Sequence, residues 1–135
     1  MIERVARRLH QKNSYVVNAI GKDQFIWLIS LANVLHCENP LKIEDQWIQK
    51  YNLQEGNFDI KNVNKDLVQQ IPTETQIGKV YMRLIIDTLP PDKNFVEGLI
   101  RVYNHSICET IDNYNASAYY EPSYVIARGY NEGGF

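Results

Sequence analysis

Cysteine is scarce in this 135-residue chain: Cys37 and Cys108 are the only two, far apart and without a Cys-x-x-Cys pair. That excludes a dense disulfide framework and the usual zinc-finger spacings, and it reads as two small core hydrophobes in a reducing compartment. Long apolar runs are missing too. The longest, Phe25 to Ala32, is interrupted by Ser30 and is far shorter than the roughly 18 residues of a membrane span, so no membrane association is expected. Basic residues near Met1 are followed by no apolar segment and no cleavage site, which predicts a cytoplasmic protein without a secretory leader.

Charge of one sign is also lacking. Fourteen Lys and Arg stand against 16 Asp and Glu, a net −2, so whole-molecule electrostatics names no partner. Seven Gly and five Pro exclude collagen-like and low-complexity classes. No Gly-rich phosphate loop, Gly-x-Ser-x-Gly elbow, His-Glu-x-x-His pair or acidic calcium loop occurs, and neither a cofactor nor a metal is expected.

What is present is ordinary globular material: 44% apolar and 22% charged residues, enough for one domain over residues 1–135 with a core of its own. Thirteen Asn, 15 Ile and nine Tyr suggest A+T-rich codons, hence a bacterium, a phage or a mobile element. The periodicity is helical. Ile2, Val5, Ala6 and Leu9 form one stripe, continued by Val16, Val17 and Ile20 with a break near Asn13-Ser14, and Gly21 stops it. Asp23 would cap a helix to about His36, apolar nearly all round, which marks residues 23–36 as the central buried helix. Asn39-Pro40 opens the next, with Trp47, Ile48 and Tyr51 inward; Trp27 and Trp47 both read as core. A loop over 52–60 and a short helix near 60–71 lead to Thr73-Glu74-Thr75-Gln76, which has capping-box spacing. Behind it Ile77, Val80, Tyr81, Leu84, Ile85 and Thr88 form the cleanest stripe. Asp92 would cap one long helix to about Tyr114, and Pro122 would start a last one to about Tyr130, leaving 131–135 as a flexible tail. No sustained period-two alternation appears. The expectation is an all-α bundle of about six or seven helices.

Three groups of residues carry candidate chemistry. On the long helix, Glu97, Arg101, His105 and Glu109 recur every four residues with Cys108 and Asp112 alongside, so one face would hold a His between carboxylates. That is a weak catalytic site, with His105, Glu109 and Arg101 as its candidates, or a helix face laced with ion pairs. At the N-terminus, Arg4, Arg7, Arg8 and Lys12 cluster with His10 and would meet an anionic partner, either as a nucleic-acid-binding face or as part of a small hydrolase or nuclease. Only four cations cluster, and the sequence pI is 5.9, which weighs against nucleic acid. Third, six of the nine tyrosines fall between Tyr103 and Tyr130. Tyr119, Tyr120, Tyr124 and Arg128 would form a surface for a protein partner or a second copy of the chain. The leading expectation is a non-enzymatic interaction or regulatory protein, antitoxin- or immunity-like; the enzyme and the nucleic-acid binder are the alternatives.

Overall fold

The computed structural model describes residues 1–31 and 38–134. Within them lie eight α-helices and no strand: α1 (Ile2–Arg8), α2 (Asn13–Ile20), α3 (Lys22–Ser30), α4 (Pro40–Lys50), α5 (Glu74–Thr88), α6 (Phe95–Tyr103), α7 (Ile107–Ile111) and α8 (Ser123–Glu132), with a 3-10 turn at Ala118–Tyr120. The all-α expectation holds, with one or two more helices than periodicity counted. His36 and Cys37, and the end of the helix expected to reach His36, lie outside the described residues.

The N-terminal stripe divides as expected, though earlier. Leu9 closes α1, His10 turns the chain at φ 53° and Asn13 opens α2. Gly21, at φ +83°, then ends α2 and starts α3, a backbone that only glycine adopts without strain. Asp23 therefore sits in the first turn of α3 rather than capping it.

The centre of the bundle is α5, which packs against α1, α6 and α8. Its N-terminus is fixed by the foreseen capping box: Thr73 Oγ1 accepts from Gln76 N–H at 3.1 Å, and Gln76 Oε1 accepts from Thr73 N–H at 2.7 Å. Ile77, Tyr81, Leu84 and Ile85 are buried against the neighbours. The described part of the segment expected to be the central helix, α3, lies at the edge instead. In α3 only Phe25 and Leu28 are buried, while Ile26, Ile29 and Trp27 stay exposed. Trp27 is 48% exposed, with Lys50 Nζ 3.9 Å from its ring centroid, so it is a surface residue. Trp47 is core, edge-on to Phe25. An apolar residue on every face says that a helix could be buried, and a helix at the edge has neighbours on one side only.

Two further expectations change. Residues 60–71 form isolated turns, not a helix, and Leu67 is 78% exposed. Here Asp59 and Asn64 side chains accept from the backbone N–H two residues on, and Asn115 Oδ1 accepts from Asn64 N–H at 2.7 Å; such local bonds replace a helical ladder. The long helix expected over 92–114 is capped by Asn94 instead of Asp92 and is broken at residues 104–106. At the break Asn104 Nδ2 donates back to Ile100 O, while His105 Nδ1 accepts from Ile107 N–H. The inward residues nevertheless stay inward: Leu99, Val102, Tyr103, Ile107, Ile111 and Tyr114 are all buried. Pro122 and Gly133 bound α8 as N-cap and left-handed C-cap, so the helix extends past Tyr130 and takes up Asn131 and Glu132 of the expected tail.

Candidate functional site

The broken long helix contributes one wall of a cleft. The helix is interrupted at Asn104–Ser106, and residues of this break and of α7, together with the 58–62 loop, line a cavity of about 560 Å³. That loop is held in place by two backbone bonds, Gly56 N–H to Leu9 O at 2.7 Å and Phe58 N–H to His10 O at 2.8 Å.

Asp112, at the end of α7, lines the cleft and heads a polar network that runs into the core. Its Oδ1 accepts from Tyr81 Oη at 2.7 Å, and its Oδ2 faces Asn13 Nδ2 at 3.4 Å. Behind it the Tyr81 and Tyr103 rings stack at 4.6 Å, and Tyr103 Oη donates to the buried Glu3 carboxylate. Burial pushes the Asp112 carboxyl up to about 7; the Tyr81 bond opposes that rise, the Glu3 charge adds to it, and Arg7 and Asn13 oppose it. Burial likewise drives both tyrosine hydroxyls well above their ordinary range, with the Asp112 and Glu3 charges adding to it. It also pushes the Cys108 thiol up to about 12, so this half-buried sulfur, which donates to Val102 O, is a poor nucleophile.

The predicted stripe does not survive the break as one face. Glu97 is engaged by Lys22 and Lys93. Arg101 donates to Thr88 O at 2.9 Å and sits 5.6 Å from the Tyr130 ring. His105 lies 4.3 Å from the same ring, and both it and Glu109 line the cleft. His105 Nδ1 already accepts a backbone N–H, so in the neutral ring the proton sits on Nε2. Among the described residues no three His, Cys, Asp or Glu side chains converge on a metal position.

The basic cluster is neutralised from within. Arg4 forks onto buried Glu44, its Nε at 3.3 Å and Nη2 at 3.0 Å from Oε2. Arg8 meets Asp45 at 2.6 Å. Arg7 is only 7% exposed and turns inward to Pro72 O, Tyr114 Oη and Glu74. Lys12 lies over the Phe58 ring, and His10 is exposed at the helix break, away from the inward-turned Arg7. These side chains do not converge on a common anion site.

The C-terminal tyrosines separate into two roles. Tyr119 is half-buried, edge-on to Tyr114, and seats the 3-10 turn. Tyr120 and Tyr124 are 83% and 69% exposed, the two most exposed aromatic side chains among the described residues. Arg128 is exposed one turn along α8. The patch continues onto α5, where Lys79, Met82, Arg83 and Ile86 share one face; Lys79 and Arg83 line a groove with Glu121 and Ser123, and Met82 and Ile86 are exposed.

Asp112 gave little sign of its role in sequence, since its partners lie 31 to 99 residues away. The only local signal was an acid one residue after Ile111 and one turn after Cys108, at the edge of an inward stripe. No known protein family, characterised protein or solved structure matches this chain detectably. Among the described residues no helix is long and apolar enough to cross a membrane.

Proposed function

We propose that this is a helical binding protein that docks a protein partner through the face formed by Tyr120, Tyr124 and Arg128 and the adjoining stripe of α5. The observation that carries this reading is the exposure of two large rings, Tyr120 and Tyr124, on rigid supports. Tyr124 stands on a helix anchored by Ile126, Gly129 and Tyr130, and Tyr120 on a turn seated by Tyr119. A tyrosine held in place loses little side-chain freedom on binding and offers a wide apolar ring with a polar tip, which suits it to the centre of a protein interface. The charges of this face balance: Lys79, Arg83 and Arg128 stand against Asp87, Glu121 and Glu132. With the N-terminal arginines engaged internally, that favours a protein over a polyanion such as nucleic acid. The finer form of the reading is a regulatory protein of the cytoplasm, antitoxin- or immunity-like, whose activity is capture of its partner.

The test is site-specific photo-crosslinking in the native cell from positions 120 and 124, with exposed Leu67 as the control. One discrete protein adduct at 120 and 124 and none at 67, lost from the neighbouring position in a Tyr120→Ala/Tyr124→Ala background, is the expected result. An adduct to a second copy of the chain would replace the partner reading with self-association. Adducts equal at all three positions, or RNA or DNA in the adduct, would overturn it.

A further inference from the structure

Buried carboxylates in folded proteins are paired with a cation, because the charge loses its hydration and must recover it from a neighbour. Asp112, half-buried in the wall of the cleft, breaks this pattern. Its two recorded partners, the Tyr81 hydroxyl and the Asn13 amide, are neutral. The nearby guanidinium of Arg7 is directed instead to Pro72 O, Tyr114 Oη and Glu74, and no ion pair among the described residues reaches Asp112. A carboxylate has about four acceptor positions, of which two are taken. Asn13 repeats the pattern. It is 4% exposed and lines the same cavity, and among the described residues no donor reaches its Oδ1. The cavity thus presents a charged acceptor bonded only to neutral donors and a neutral acceptor without one. Its wall carries Asp59, Glu109 and Asp112 against Lys12, which is held over Phe58, and His105, which lies against the Tyr130 ring.

We propose that this cleft is a binding site for a small organic cation, a protonated primary amine, with Asp112 as its anionic partner and Asn13 Oδ1 as a second acceptor. An ammonium group carries three donors and no acceptor, which complements these two atoms, and it supplies the positive charge that the fold withholds from Asp112. A cavity of about 560 Å³ is of the size that encloses small ligands, and Phe58 and Tyr114 on its walls offer apolar contact to the body of the amine. The groups that face Asp112 are Glu3 and Arg7 from α1, Asn13 from α2, Tyr81 from α5, Tyr103 from α6, Cys108 from α7 and Tyr114 beyond it. Of these only Arg7 is cationic. The site is independent of the docking face on α5 and α8.

The experiment is a titration of the full chain with benzylammonium, followed by amide NMR shifts, with benzyl alcohol as the uncharged control. Binding requires the ionised carboxylate, so affinity should rise about tenfold per pH unit up to about pH 7 and level off above it. Shifts should centre on residues 12–14, 58–62 and 105–115, and benzyl alcohol should bind at least tenfold more weakly. Asp112→Asn should abolish the pH dependence and weaken binding at least tenfold. If that variant does not fold, the pH profile of the unaltered protein and Glu109→Gln, a rim change expected to weaken binding a few-fold, carry the test. Equal binding of amine and alcohol, an affinity flat across pH 6 to 8 (about one unit either side of the titration), shifts centred elsewhere, or no saturable binding of benzylammonium, methylammonium or butylammonium would each overturn the proposal.

Discussion

Titration of Asp112 should make this protein less stable as the pH rises through neutrality. Burial holds its carboxyl at about 7 in the fold, against a reference of 3.8. Between those values the folded chain binds a proton that the unfolded chain has released, so stability falls with increasing pH. Three units of displacement correspond to about 4 kcal/mol over the whole window, at about 1.4 kcal/mol per unit. About half of it, some 2 kcal/mol, falls between about pH 5.5 and about pH 8, the rest being already lost on the acid side. In a chain of this length that is a drop of roughly 7 °C in Tm. Thermal unfolding followed by circular dichroism at the two pH values measures it. In Asp112→Asn the amide oxygen still accepts from Tyr81, and rotation of the Asn13 amide turns its carbonyl to the new N–H. The drop should therefore vanish, and at about pH 8 the variant should exceed the unaltered protein by up to about 4 kcal/mol. A Tm that stays flat or rises over this interval, or a variant that keeps the slope, would refute the assignment of Asp112 as a desolvated acid without a cationic partner.

Four further predictions concern the frame around the site. Gly78→Ala should stabilise by up to about 1 kcal/mol in chemical denaturation, because the added Cβ meets only the Glu3 carboxylate, at 3.6 Å. Gly98→Ala gains the same propensity but meets Leu89 Cδ1 at 2.7 Å and Ile85 Cγ2 at 3.2 Å, where α6 crosses α5; overpacking of about 1–3 kcal/mol should win, and a stabilised variant would contradict that contact. Arg4→Ala should destabilise by about 2–3 kcal/mol because it strands the buried Glu44 charge, whereas Arg8→Ala removes an exposed pair with Asp45 and should stay under about 1 kcal/mol in the same assay. Thr73→Ala should lose about 1 kcal/mol of stability with the capping box, and Gln76→Ala somewhat less.

Much of the fold was legible because its signals are local. The capping box at Thr73–Gln76, the Asn39-Pro40 helix start, the Gly21 stop and the inward stripe of α5 are each set by residues within one or two turns of one another. Errors arose where a local pattern had two outcomes of similar energy. Val63, Leu67, Val68 and Ile71 repeat at helical spacing, but Asp59 and Asn64 offer the backbone other partners and the segment stays in turns. Phe95 to Tyr114 keep one inward face whether the helix runs straight or breaks, so periodicity could not report the break at Asn104–Ser106. Composition located the tyrosines between Tyr103 and Tyr130 but did not separate the buried Tyr103, Tyr114 and Tyr130 from the exposed Tyr120 and Tyr124, which packing alone sorts.

The sequence alone therefore determined the helical class, most helix ends and the faces that turn inward, since propensity, capping and periodicity act over a few residues. Only the tertiary structure decided that α5 and not α3 lies at the centre, since that depends on how many neighbours surround a helix. Long-range packing also decided that Arg4, Arg7 and Arg8 are engaged by Glu44, Glu74 and Asp45, 37 to 67 residues away, and that Asp112 meets Tyr81 and Asn13 at the floor of a cleft. Solvation and pairing depend on distance in space, and separation along the chain does not encode them.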